Sequence, residues 1–158
     1  MTRPTWLDPL VGAELRDALV IECRFPTEAV ETGDLALDTD RGWFQLHSCH
    51  PHRALLAMRG REDVALVGEW TARLGLTLRS TGALVAPFRI GRVDYADDAS
   101  HLSSHATIGA WLLDDALVAR CSLLLDPEDV EIGSPDLLSA YLSHPANRDR
   151  PLRLFRGD

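Results

Sequence analysis

The chain has 158 residues, 46% of them apolar and 25% charged, which suits one globular domain and excludes a disordered or fibrous protein. Its formal net charge is −8, and all 16 basic residues are arginine. That acidic balance repels phosphates and argues against nucleic acid or a membrane surface as partner. No apolar run reaches the roughly 18 residues of a membrane span and no leader-like stretch opens the chain, so a cytoplasmic, bacterial protein is expected.

In chain order, Asp8-Pro9 supplies an N-cap carboxylate and a proline for the first helical position, and Val11, Leu15 and Ala18 share a stripe. These features predict a first helix. "ALVIECRF" then alternates Leu19, Ile21, Cys23 and Phe25 inward against Val20, Glu22 and Arg24, a half-buried strand. Residues 26–41 carry weaker signals, with a short strand at "LAL". "GWFQLHS" and "RALLAMRG" read as two strands sharing the periodicity of Phe44, Leu46, Ala54, Leu56 and Met58. A helix starting within 53–59 is the competing reading, since leucine and alanine are good helix formers.

Residues 62–74 read as a helix with Val64, Val67, Trp70 and Leu74 on one stripe, and Gly75 is placed to close it. "GALVAPFRIGRVDY" is extended, with Pro87 putting it at an edge or bulge. Residues 94–105 form a polar connection. "ATIGAWLL" and "ALVARCSLLL", joined at Asp114-Asp115, make a hairpin. Ser134-Pro135-Asp136 opens a last helix carrying Leu138, Tyr141 and Leu142, and Pro145 stops it. No internal repeat or boundary is visible. The expected fold is α+β: a single domain over 1–145, an antiparallel sheet with helices packed on it in the order α-β-β-β-α-β-β-β-α, and an arginine-rich tail over 146–158.

The most chemical-looking string is "HSCHPH", residues 47–52. Imidazole and thiolate are natural zinc ligands, which makes His47, Cys49 and His52 metal candidates, with His101 and His105 completing a set if their loop folds over. The spacing fits no standard zinc signature, and the simpler reading is a hairpin turn; no metal or other cofactor is expected. Cys49 beside imidazoles is also a candidate nucleophile, though nucleophilic catalysis needs an oriented base and oxyanion donors as well. Cys23 and Cys121 fall at inward strand positions and read as small buried hydrophobes. An odd number of widely spaced cysteines excludes a disulfide framework. Asp126, Glu128, Asp129 and Glu131 lack the spacing of a calcium loop. No phosphate loop and no Gly-x-Ser-x-Gly elbow is present.

In the tail, Arg148, Arg150, Arg153 and Arg156 alternate with Leu152, Leu154 and Phe155. Such an arm suits docking on an acidic face, its own or a second subunit's. Trp70, Trp111 and Phe155 are the aromatic candidates for contact with a partner.

The order of elements, and above all "ATIGAWLLDDALVARCSLLLDPED" followed by "SPDLLSAYL", resembles the type III secretion chaperone-like fold with its YbjN-type relatives. The resemblance covers about two-thirds of the chain on patterning and departs at residues 77–104. It implies a small protein- or peptide-binding module, non-catalytic and self-associating. The rival resemblance is to the hotdog fold of acyl-thioester enzymes. That would put Val64, Val67 and Trp70 on a buried central helix, Glu69 as its carboxylate, and His50 or a neighbour in the His47–His52 loop as general base for a small acyl ligand.

Overall fold

The computed structural model describes residues 3–49, 52–60, 75–100, 107–125 and 129–158, with Cys49, His52 and Arg53 described in their backbone alone. A 3-10 turn, Asp8–Leu10, leads straight into β1, Glu14–Arg24. The helix expected from Asp8 through Ala18 is therefore replaced by strand, and a β-bulge explains the misreading. The register of β1 shifts between Leu15 and Asp17. A bulge inserts an extra residue, so Leu15 and Ala18, three apart, both face the main core and are fully buried. That spacing imitates a helical stripe.

Beyond the bulge, Leu19 and Ile21 face the other side of the sheet, where they cluster with Ala36, Trp43, Leu76 and Leu78. Val20 packs against the main core. β1 is thus lined with apolar contacts on both faces, as a central strand should be. β2 (Ala29–Thr39), β3 (Gly42–Cys49) and β4 (His52–Met58) continue as an antiparallel meander. β5 (Gly75–Ser80) returns to the far side of β1, with β6 (Phe88–Arg89) also paired to β1. Thr39 fixes the β2–β3 turn: its Oγ1 donates to the Gly42 carbonyl and accepts from the Arg41 N–H. Gly42 sits at φ +119°, a torsion that suits glycine alone. Residues 53–58, for which a helix start competed, are strand, and Cys49 pairs with His52 across the "HSCHPH" hairpin. The helix expected over 62–74 lies outside the described residues.

A second sheet repeats the plan. β7 (Arg92–Asp98), β8 (Thr107–Leu113), β9 (Ala119–Leu124) and β10 (Glu131–Gly133) meander, and β11 (Leu152–Phe155) returns to the far side of β7. The orders β4-β3-β2-β1-β5 and β10-β9-β8-β7-β11 are one topology used twice, although the sequence shows no repeat. The α+β expectation is overturned: strand predominates, two antiparallel sheets are present, and one α-helix is found among the described residues.

Leu15, Leu37 and Leu46 of the first sheet meet Tyr95, Leu112 and Leu123 of the second in one core, all fully buried. α1 (Pro135–Ser143) packs on the second sheet through Leu138, against Ala96, Ile108 and Leu124. Ser134 holds the N-cap position but makes no cap bond with its side chain. Ser122 of β9 takes that role: its Oγ donates to the Ser134 carbonyl and accepts the Leu138 N–H. A first-turn donor is satisfied from the sheet, which ties the helix to its seat. Among the described residues no helix is long and apolar enough to cross a membrane.

Residues 94–98, expected as polar connection, are instead the strand that carries β11. Asp94 and Asp98 hid the extended pattern because each has a tertiary partner. Asp94 accepts from Arg92 and from the Gly157 N–H, and Asp98 takes the Arg150 Nε at 2.8 Å. Burial alone would raise the Asp98 carboxyl. Hydrogen bonds from the Ser100 hydroxyl, from Arg150 and from the Ser100 N–H outweigh it and hold the pKa at about 2, below the ordinary 3.8. A carboxyl lowered on folding stabilises fully above its unfolded value and loses that contribution as pH falls through the folded one. Between the ordinary value and about pH 2, amide exchange over Leu152–Phe155, corrected for intrinsic rates, should therefore accelerate by more than about tenfold. Arg150→Met should flatten that dependence; an unchanged profile in the variant would contradict it.

Candidate functional site

The register of the β2–β3 hairpin assembles one buried polar cluster. Leu35 pairs with Leu46 and Ala36 with Gln45, which sets Asp34 across from His47. Cross-strand neighbours of this kind are within reach of one another's side chains. Asp34 is 4% exposed and Gln45 1% exposed. The Gln45 Nε2 donates to Asp34 Oδ2 at 2.7 Å, and His47 Nδ1 lies 2.9 Å from both carboxylate oxygens. Behind them, Thr32 Oγ1 donates to the Ile21 carbonyl and accepts the Asp34 N–H. That bond braces β2 against β1 where the β1–β2 register shifts.

The chemistry of the pair follows from the partner. A carboxylate oxygen accepts hydrogen bonds, so the proton between the two groups is on His47 Nδ1, and in the neutral form of the ring the lone pair is on Nε2. The imidazole side chain is 17% exposed against 5% for the carboxylate, so the ring spans the boundary between Asp34 and solvent. A histidine oriented through one nitrogen by a carboxylate is the arrangement used to present the other nitrogen as a base or a ligand.

Of the other residues singled out in the sequence, His50, Glu69, Trp70, His101 and His105 lie outside the described residues, and Cys49 and His52 are placed as a backbone pair. Among the described residues no three histidine, cysteine, aspartate or glutamate side chains gather as a metal cluster. Trp111 lies between β8 and α1, where its Nε1 donates to the Pro135 carbonyl at 3.3 Å. Phe155 packs against the inter-sheet core, with the Arg153 guanidinium 5.9 Å above its ring. Cys121 is buried between the sheets, and burial pushes its thiol up to about 12, which leaves it unreactive.

A second polar contact is structural. The Tyr95 hydroxyl donates to Asp8 at 2.8 Å and accepts the Leu7 N–H, while Arg3 binds Asp8 through both oxygens. Burial first, then Asp8, raises the Tyr95 phenol and keeps it protonated. This contact fastens the N-terminal segment to β7.

Sequence reasoning missed Asp34 and Gln45. The available signal was the Thr39–Gly42 turn: placing it sets the register, and three polar residues then fall together on otherwise apolar strands. No protein-family model, curated protein or solved structure matches the chain.

Proposed function

We propose that the chain is a small protein-binding module that takes up extended segments by strand addition along β4, with a second copy of itself as first partner. The observation that carries this reading is the character of that edge. β4 runs seven residues, His52–Met58, with no charge after Arg53, and it ends the strand order of its sheet. An edge strand offers a row of backbone donors and acceptors, and proteins ordinarily blunt such edges with charge, proline or shortness.

The other edges are blunted in those ways. β10 has three residues and β6 two. β11 follows Pro151 and carries Arg153. β5 carries Arg79, paired with Glu22 and Glu31. β4 instead shows Leu56 at 37% exposure beside an exposed Ala57. Antiparallel self-pairing centred on Leu55 sets Ala54 against Leu56 twice, an uncharged match that extends two sheets into one. A cytoplasmic site of action accords with Cys23 and Cys121, both free and buried.

Sedimentation equilibrium tests the reading. The wild-type chain should run at twice its 17.4 kDa, and Leu56→Glu should return it to a monomer with an unchanged fold, since each introduced carboxylate would lie against the partner's Ala54 in an uncharged seam, diagonal to its twin. A monomeric wild type, or a dimer indifferent to Leu56→Glu, would rule out β4 as the docking edge.

A further inference from the structure

Among the described residues two histidine rings have hydrogen bonds that fix the position of a ring proton, and they are fixed in opposite senses. At His144 the Nδ1 accepts the Ala146 N–H at 3.1 Å. A backbone N–H can only donate, so that lone pair is occupied and the ring's proton sits on Nε2. At His47 the Nδ1 faces the Asp34 carboxylate at 2.9 Å, so the proton is there and the lone pair is on Nε2. Among the described residues no hydrogen bond engages the His47 Nε2. The ring is also set by packing: Gln45 shares the carboxylate, and Asp34 and Gln45 are buried at 4% and 1% exposure. An immobile carboxylate against Nδ1 holds the ring with the opposite nitrogen outward and stabilises the cation that forms when that nitrogen reacts.

We propose that His47 is a nucleophilic site for activated acyl groups, thioesters or aryl esters, with Asp34 as its positioning residue. The Nε2 lone pair attacks the carbonyl carbon, the bond from that carbon to sulfur or oxygen breaks, and the thiolate or phenolate leaves with the electron pair. The acylated ring is cationic, and its Nδ1 proton stays on the Asp34 carboxylate's hydrogen bond. Water then attacks the same carbon, the carbon–nitrogen bond breaks, and the carboxylic acid and the neutral ring are restored. The proton given up by water neutralises the departed thiolate or phenolate, so the sum is hydrolysis of the ester. No oxidant, reductant or metal enters the balance. A metal ion at Nε2 is the weaker alternative, because no cluster of three ligating side chains surrounds it among the described residues. The site is independent of strand addition along β4.

The two rings make an internal comparison. His144 is the exposed one and His47 the shielded one, so access alone predicts that His144 reacts first, and lone-pair availability predicts the reverse. Wild-type protein treated with limiting diethyl pyrocarbonate, digested and read by mass spectrometry should carry the adduct on His47 severalfold faster than on His144. Asp34→Asn should slow the His47 adduct about tenfold, the usual effect of removing a carboxylate behind a working histidine, and leave His144 unchanged. With S-phenyl thioacetate, thiol release above the buffer rate should vanish in His47→Gln and persist in His144→Gln. A wild-type His144 that reacts as fast as His47 overturns the proposal without recourse to any variant. An Asp34→Asn protein whose His47 reacts at the wild-type rate overturns the role of the carboxylate.

Discussion

Gly109→Ala should destabilise the chain by about 3 kcal/mol, the upper end of what overpacking a filled core costs. Gly109 lies in β8 opposite Leu124, beneath α1. A Cβ there would collide with the Leu123 carbonyl oxygen and sit 2.7 Å from the Leu138 Cδ1. The first obstacle is backbone held in the β8–β9 ladder, and the second is the fully buried side chain that seats the helix. Relief requires either opening the ladder or lifting α1, and lifting α1 breaks the bonds between Ser122 and the helix start. Chemical denaturation measures the loss, and Gly60→Ala, with nothing within 4 Å of its Cβ, is the matched control. Combining Gly109→Ala with Leu138→Ala should not restore stability, because the carbonyl collision survives and a cavity is added. A Gly109→Ala protein as stable as the control would mean that α1 is not seated on this glycine.

The same region shows what could be read from the chain. α1 was legible because its signals are local: Ser134-Pro135 at the start, Leu138 and Leu142 on one face, Pro145 past the end. The β8–β9 hairpin was legible for the same reason, although its turn is built differently from the expected one. Asp114 Oδ1 accepts the Ala116 and Val118 N–H groups, and the left-handed torsion falls on Leu117 at φ +60°. The fold class was misread where spacing and environment diverge. The bulge in β1 reproduced a helical stripe, and the aspartates of β7 looked like a loop because Arg150 and Gly157, their partners, are some 50 to 60 positions away in the chain. Short edge strands such as β10 and β11 have no periodicity long enough to detect. At the candidate site, "HSCHPH" drew attention as a cluster of neighbours in sequence. Neighbouring residues on a strand point to opposite faces, so the partner of His47, Asp34, comes from across the ladder, and Gln45, two positions earlier, shares that carboxylate. Long-range register decides the site, and one unrecognised turn at Thr39–Gly42 concealed it.

Asp34→Ala should cost about 2–4 kcal/mol, because it strands two donors in a buried place. The Gln45 amide loses its 2.7 Å acceptor and the His47 Nδ1–H loses both oxygens. Unmade bonds of this kind cost more than made ones contribute, since water cannot reach in to replace the carboxylate. In a chain of this length the deficit corresponds to a fall in Tm of roughly 5–10 °C. Asp34→Asn keeps the shape and one carbonyl oxygen, so it should cost about 1 kcal/mol, the price of a neutral bond in place of a charged one. The pair of variants separates two roles for the same side chain. If Asp34 serves only to fill and brace the β2–β3 hairpin, reactivity at His47 should follow stability, falling in Asp34→Ala and largely surviving in Asp34→Asn. If it holds the lone pair outward on Nε2, both variants should lose reactivity alike, because an amide can present either its oxygen or its NH2 to the ring and no longer dictates the tautomer. Thermal melts and adduct rates measured on the same preparations decide between them, and the second pattern is the one the carboxylate–imidazole geometry leads us to expect.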